Sequence, residues 1–174
     1  MKRIAFLLIG VVIVIGVVAC ISPTSGHADG GAAPIFLTTI PTGYRDWRLV
    51  SVAHEEGSLN DIRAILANDA GIKAYREGTL PFPDGTIIAR LAWSYGPSEE
   101  NNKVFGHSQS FVAGPPKGGV QFMVKDSRKY ASTGGWGFAQ FDDGKLAGDG
   151  VLKTCFSCHQ ANEARDLVFT HYAP

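Results

Sequence analysis

The chain has no surplus of either charge, with 16 Lys and Arg against 16 Asp and Glu in 174 residues. A partner built on phosphates would call for a basic field, so no nucleic-acid partner is expected. Cysteine is scarce. Cys155 and Cys158 form one pair, Cys20 stands far away, and the second pair that a four-ligand zinc site wants is missing. Methionine is scarcer still, since Met123 is the only one besides the initiator. The longest apolar run, residues 4–19, is sixteen residues and short for a membrane span. Gly 21 and Pro 9 imply many turns, which suits a β-rich chain better than a helical bundle.

What is present is concentrated near the C-terminus, in Cys155-Phe156-Ser157-Cys158-His159. Two thiols separated by two residues reach the two vinyl groups of one haem, and a histidine directly after the second thiol is held under the iron as proximal ligand. The spacing therefore predicts one covalent haem c on Cys155 and Cys158, with His159 on the metal. A redox dithiol would sit after an early strand in a βαβ pattern, and a zinc half-site or two incidental cysteines would not need the adjacent histidine.

At the other end, Lys2-Arg3 and the apolar run read as an export signal. Val17-Val18-Ala19-Cys20 offers a lipoprotein-type cleavage box, which would make Cys20 a lipid anchor. Cleavage after Ala28 and an uncleaved anchor are the alternatives. All three send the rest of the chain to a bacterial-type periplasm, where haem c is attached. Residues 1–28 are thus assigned to signal or anchor, 29–42 to a linker, and 43–174 to one domain. Without its first nineteen residues the chain keeps 14 basic and 16 acidic side chains.

Alternation and turn residues predict strands over 49–54, 62–67, 86–93, 120–125, 136–141 and 167–172. Asp69 is expected to cap a helix over 70–77 that Gly78 stops, and a short capped helix is expected over 128–132. Residues 95–119 read as a long connection with a short strand inside it. A helical segment over 149–164 carries the haem motif. The fold class is α+β and β-rich: an antiparallel sheet with a few short helices.

Strand 86–93 is apolar on both faces, hence central, and Arg90 is its exception. A guanidinium among Ile88, Leu91 and Ala92 needs a carboxylate, a carbonyl or a ligand; a structural ion pair and a place at the haem edge both answer that need. A small electron-carrier cytochrome has its motif early and a methionine ligand downstream, whereas here Met123 lies upstream in an alternating strand and reads as packing. His54 and His171 are the remaining sixth-ligand candidates, each with a surface or hydrogen-bonded reading beside it. His27, His107 and Lys73 are expected to be solvated.

Asn68-Asp69 with Ala74-Tyr75-Arg76-Glu77-Gly78, Phe82-Pro83-Asp84-Gly85-Thr86, Val124-Lys125-Asp126-Ser127, Gly135-Trp136, the haem motif and Asp166-Leu167-Val168-Phe169-Thr170 resemble the cytochrome P-460 family, which includes the cytochromes c′-beta. The resemblance covers about residues 44–174. It implies a homodimer and a five-coordinate haem c whose open face binds or transforms nitric oxide, hydroxylamine or related species. In family members proper, a lysine on the strand after the Asp-Gly-Thr turn is joined to the porphyrin; the matching position is Arg90, whose guanidinium is a poor nucleophile near neutral pH. A distal arginine of the family maps onto Arg63, whose other reading is a surface charge on an edge strand. The carboxylate used for proton transfer falls near Gly150, with Asp149 beside it as a weak substitute. Two functions follow. One is a binder of nitric oxide or carbon monoxide with a pocket lined by Leu59, Arg63 and Arg90; the other is an oxidoreductase acting on hydroxylamine. Electron transfer to a partner cytochrome is the third and requires a strong sixth ligand.

Overall fold

Among the described residues, six antiparallel strands pair in the order in which the chain makes them: β1 (Arg48–Glu55), β2 (Asp61–Ala67), β3 (Ile87–Pro97), β4 (Phe111–Lys125), β5 (Trp136–Asp142) and β6 (Lys145–Leu146). Helix α1 (Asp69–Glu77) joins β2 to β3, α2 (Glu99–Phe105) joins β3 to β4, and α3 (Asp149–His159) follows β6. This is the β-rich α+β architecture that the sequence predicts. The computed structural model describes residues 37–173. The expectations for the export segment, Cys20 and His27 lie outside the described residues.

Strand β3 lies between β2 and β4 and is covered on both faces, which explains its apolar residues on both sides. On one face Ile65 and Ala67 of β2, Ile88 of β3, Met123 of β4 and Trp136 and Phe138 of β5 pack with Ile72 and Ala74 of α1, and with Phe82, Leu167 and Val168. Cys155 and Phe156 of α3 lie against this cluster. On the other face Ala89, Leu91, Phe122, Ala139 and Phe141 are covered by Leu37, Ile40, Tyr44 and Trp47 from the segment before β1. Burying each of the large side chains contributes about 1.5–3 kcal/mol.

Local structure departs from the sequence reading at five places. The cap of α1 is Asn68 rather than Asp69. Its side-chain oxygen accepts from Gly71 N and from Ile87 N, each at 3.0 Å, while its amide donates to Gly85 O at 2.8 Å. A carboxylate could not supply that donor. Residues 95–119 are no long connection: β3 runs to Pro97, α2 follows, and β4 begins at Phe111. Polar side chains build this turn. Ser98 caps α2 through Asn101 N, and Asn102 Oδ1 accepts from Gln109 N and Ser110 N at 2.9 and 2.8 Å. Residues 128–132 form turns that end in a 3-10 turn (Ala131–Thr133). The helix expected over 149–164 ends at His159 and tightens into a 3-10 stretch (Gln160–Arg165). Residues 167–172 form no strand, because Asp166 (φ 51°) and Leu167 (φ 64°) are both left-handed and turn the chain back towards α3.

Candidate functional site

Helix α3 places Cys155 and Cys158 three residues apart, which puts both thiols on one side of the helix about one turn from each other. Both are free thiols, Cys155 half-buried and Cys158 exposed. Burial pushes the Cys155 thiol up from its ordinary value, and the neighbouring Cys158 adds to that. His159 is the last residue of the helix, and its Nδ1 lies 2.7 Å from the Leu167 carbonyl. A carbonyl only accepts, so Nδ1 carries the proton and Nε2 keeps its lone pair. Burial lowers the pKa of the ring, the bond to Leu167 opposing that in part. The rings of Phe138 and Phe169 stand 5.2 Å from the imidazole on either contact.

The sheet face that carries Phe138 also carries a line of polar side chains. Phe138 pairs with Met123, and Met123 with Ile88. Two residues along each strand, about 7 Å away, Gln140 pairs with Gln121 and Gln121 with Arg90. Arg90 Nη2 donates to Asp61 Oδ2 at 2.7 Å and its Nη1 to Gln121 Oε1 at 3.1 Å; Gln121 Nε2 then donates to Gln140 Oε1 at 2.8 Å. Arg63 Nε donates to the other oxygen of Asp61 at 2.9 Å, and Arg63 Nη1 stands 3.4 Å from Glu55. Asp61 is 1% exposed and answers two guanidiniums at once. Arg63 Nη2 lies 2.8 Å from Asp61 Oδ1 as a charge contact, yet this buried nitrogen has no aligned acceptor among the described residues. Burial first, and Arg63 next, push the Arg90 guanidinium below its ordinary value.

The structure thus brings Arg63 and Arg90 together on Asp61, on the side of the sheet against which the haem motif packs. Arg63 is no edge-strand surface charge: β2 is flanked by β1 and β3, and its side chain is 13% exposed. Leu59 sits in the exposed loop between β1 and β2, where its carbonyl accepts from Lys117. Asp149 is exposed in the first turn of α3. Lys73 pairs with Glu77 at 2.6 Å on the outside of α1. His54 pairs with Ile62, so it points to the face opposite Arg63, and its Nε2 lies 2.6 Å from Tyr95 Oη. His107 is exposed beside Gln109, and His171 is exposed. Met123 is in the core. Asp61, Gln121, Gln140 and Phe138 were not singled out from sequence, and only the need of Arg90 for a partner pointed towards Asp61 and Gln121; Leu167 and Phe169 stood out only as part of a family motif, without a role at His159.

These residues fit a haem. Two free thiols share one helical side, the carbonyl on Nδ1 sets the tautomer a metal requires, and the apolar residues Val151 and Phe169 beside the motif are 42% and 52% exposed. Among the described residues no three His, Cys, Asp or Glu side chains gather into a metal cage, so the zinc reading finds no further ligands there. No curated protein matches the chain. A family model described as cytochrome P460 matches residues 41–170, most of the chain and all of the sheet and motif. The chain belongs to the cytochrome P460 family of haem cytochromes.

Proposed function

We propose that this cytochrome is exported to the periplasm, carries one haem c on Cys155 and Cys158, and binds nitric oxide or a similar small nitrogen species. Held there with His159 Nε2 as proximal ligand, the haem would supply an iron with one coordination position open to a diatomic molecule. The observation that carries the reading is the pair of arginines bridged by Asp61 on the haem side of the sheet. Guanidiniums stay charged near neutral pH, and Arg63 Nη2 is buried with only the charge contact to Asp61 Oδ1 at 2.8 Å. Such a donor favours a bound ligand whose outer atom gains negative charge. Asp61 fixes both arginines, and the glutamines extend the fixation across β4 and β5.

Electron transfer to a partner cytochrome is disfavoured because Met123 is packed in the core and His54 lies on the opposite face, engaged with Tyr95. Hydroxylamine oxidation is disfavoured by the arginine at position 90, which is committed to Asp61 and Gln121, and by the exposure of Asp149, the nearest candidate base. Homodimer formation and a lipid on Cys20 remain part of the proposal through the family likeness and the cleavage box.

The test is the absorption spectrum of the exported, reduced protein. An ordinary high-spin haem c spectrum that changes on adding nitric oxide is the expected result, with a polypeptide mass raised by one haem. A Soret band displaced to long wavelength would indicate a cross-linked enzyme instead, and a low-spin spectrum indifferent to gas would indicate a carrier.

A further inference from the structure

The Leu167 carbonyl that sets the tautomer of His159 sits in a backbone turn that most residues avoid. Asp166 and Leu167 are consecutive non-glycine residues with positive φ, and each such residue is held there only by its surroundings. Three backbone bonds tie the turn internally: Asp166 N to Glu163 O, Leu167 N to Asn162 O and Val168 N to Arg165 O. The side chain of Asn162 adds a bond to Val168 O at 2.7 Å. None of these reaches the sheet.

Leu167 and Val168 pack in the core beneath the sheet, and the polar tie to it is Asp166. Its Oδ1 accepts from Lys125 Nζ at 2.6 Å, and its Oδ2 accepts from the Phe82 backbone N–H at 2.8 Å. Lys125 also donates to Gly134 O at 3.1 Å and lies 5.0 Å over the Trp136 ring. The lysine side chain is 6% exposed and the carboxylate 12%. Lys125 pairs with Trp136, two residues along β5 from the Phe138 that packs on His159. One ion pair therefore joins the turn carrying the carbonyl to the strands carrying the ring's neighbours.

We propose that Lys125 and Asp166 are positioning residues for the proximal histidine. By fixing residues 166–167 against β4 and β5 they hold the Leu167 carbonyl on Nδ1, and so set the orientation of the imidazole and the electron donation of Nε2 to a metal. This rests on His159 being the proximal ligand, and is independent of which molecule binds opposite.

A buried ion pair replaced on both sides by neutral groups of similar size often leaves stability unchanged. The double variant Lys125→Met/Asp166→Asn therefore separates positioning from simple support. It is compared with the wild-type holoprotein by resonance Raman spectroscopy of the reduced state, by midpoint potential and by thermal unfolding. The expected result is a cooperative melt with an iron–histidine band shifted to lower frequency and broadened, and a raised midpoint potential. Lys125→Arg, which keeps the charge, should lie closer to wild type. A band and potential matching wild type in the double variant would overturn the proposal. Should that variant fail to mature, Asp166→Asn alone, which still accepts from Phe82 N–H, is measured in the same two ways: a shifted band and raised potential support positioning, and wild-type values for both overturn it. A wild-type ferrous holoprotein that is high-spin by absorption yet shows no iron–histidine band would instead refute the ligation of His159.

Discussion

Asp61 concentrates more consequence than any other single side chain near the arginines. Its two oxygens each take a guanidinium, and removing them leaves two charges facing each other in a largely dry setting. Asp61→Ala is expected to cost about 3–5 kcal/mol, read as a lowered urea midpoint. On the proposed function, Arg63→Leu removes a buried guanidinium beside the open site and is expected to speed nitric oxide release roughly ten- to hundredfold, equivalent to about 1.5–3 kcal/mol, measured by stopped-flow trapping. Met123→Leu should leave the reduced spectrum unchanged and shift stability by less than about 1.5 kcal/mol, as expected of packing rather than ligation. From sequence, Arg90 announced itself as a charge needing a partner, and the structure supplies one. The partner could not be named because it depends on register: Ile65, and not Asp61, lies opposite Arg90, and the contact reaches along β2 from four residues away.

Among the elements, α1 was legible because its punctuation is strong, with Asn68-Asp69 ahead and Gly78 at φ 64° behind. Which of the two capped it was not, because the choice turns on Ile87 and Gly85, brought close only by β3. Asn68→Ala is expected to lower stability by about 1–2 kcal/mol or more, since it loses the cap, one tie to β3 and one to the turn before it, and the shift in thermal midpoint measures it. The β3–β4 hairpin was hidden by Pro115, Pro116 and the glycines around them. Register shifts near Trp93 let these residues lie within a strand, with Trp93 opposite Pro116. Gly137 had a hidden reason as well. A Cβ there would run into the Tyr130 ring, so Gly137→Ala should displace the buried tyrosine and cost about 1–3 kcal/mol. The closing strand was misjudged because an apolar run does not reveal a left-handed pair such as Asp166 and Leu167.

For the whole molecule, the β-rich class was readable from short alternating runs with a turn between each, and the two-sided covering of the sheet from the apolar residues on both faces of β3. Acid behaviour follows from how the turn at residues 82–86 is fastened. The Ser127 hydroxyl and N–H both donate to Asp84 at 2.8 Å, and these bonds hold its carboxyl below the ordinary carboxylate range. A carboxyl lowered by folding stabilises fully above its unfolded value near about 4 and loses that contribution as the pH falls through its folded value. Asp84→Asn should therefore flatten the acid limb of stability against pH, followed by thermal melts at descending pH.

Pairing in chain order has a temporal consequence. Among the described residues each strand pairs with its neighbour in sequence, so the sheet can assemble in the order in which the chain is made. Cys155 and Cys158, the attachment residues proposed above, come after all six described strands. A Cys155→Ala/Cys158→Ala variant should accordingly emerge colourless yet keep the far-ultraviolet dichroism of the sheet, because the seat is finished before its occupant arrives.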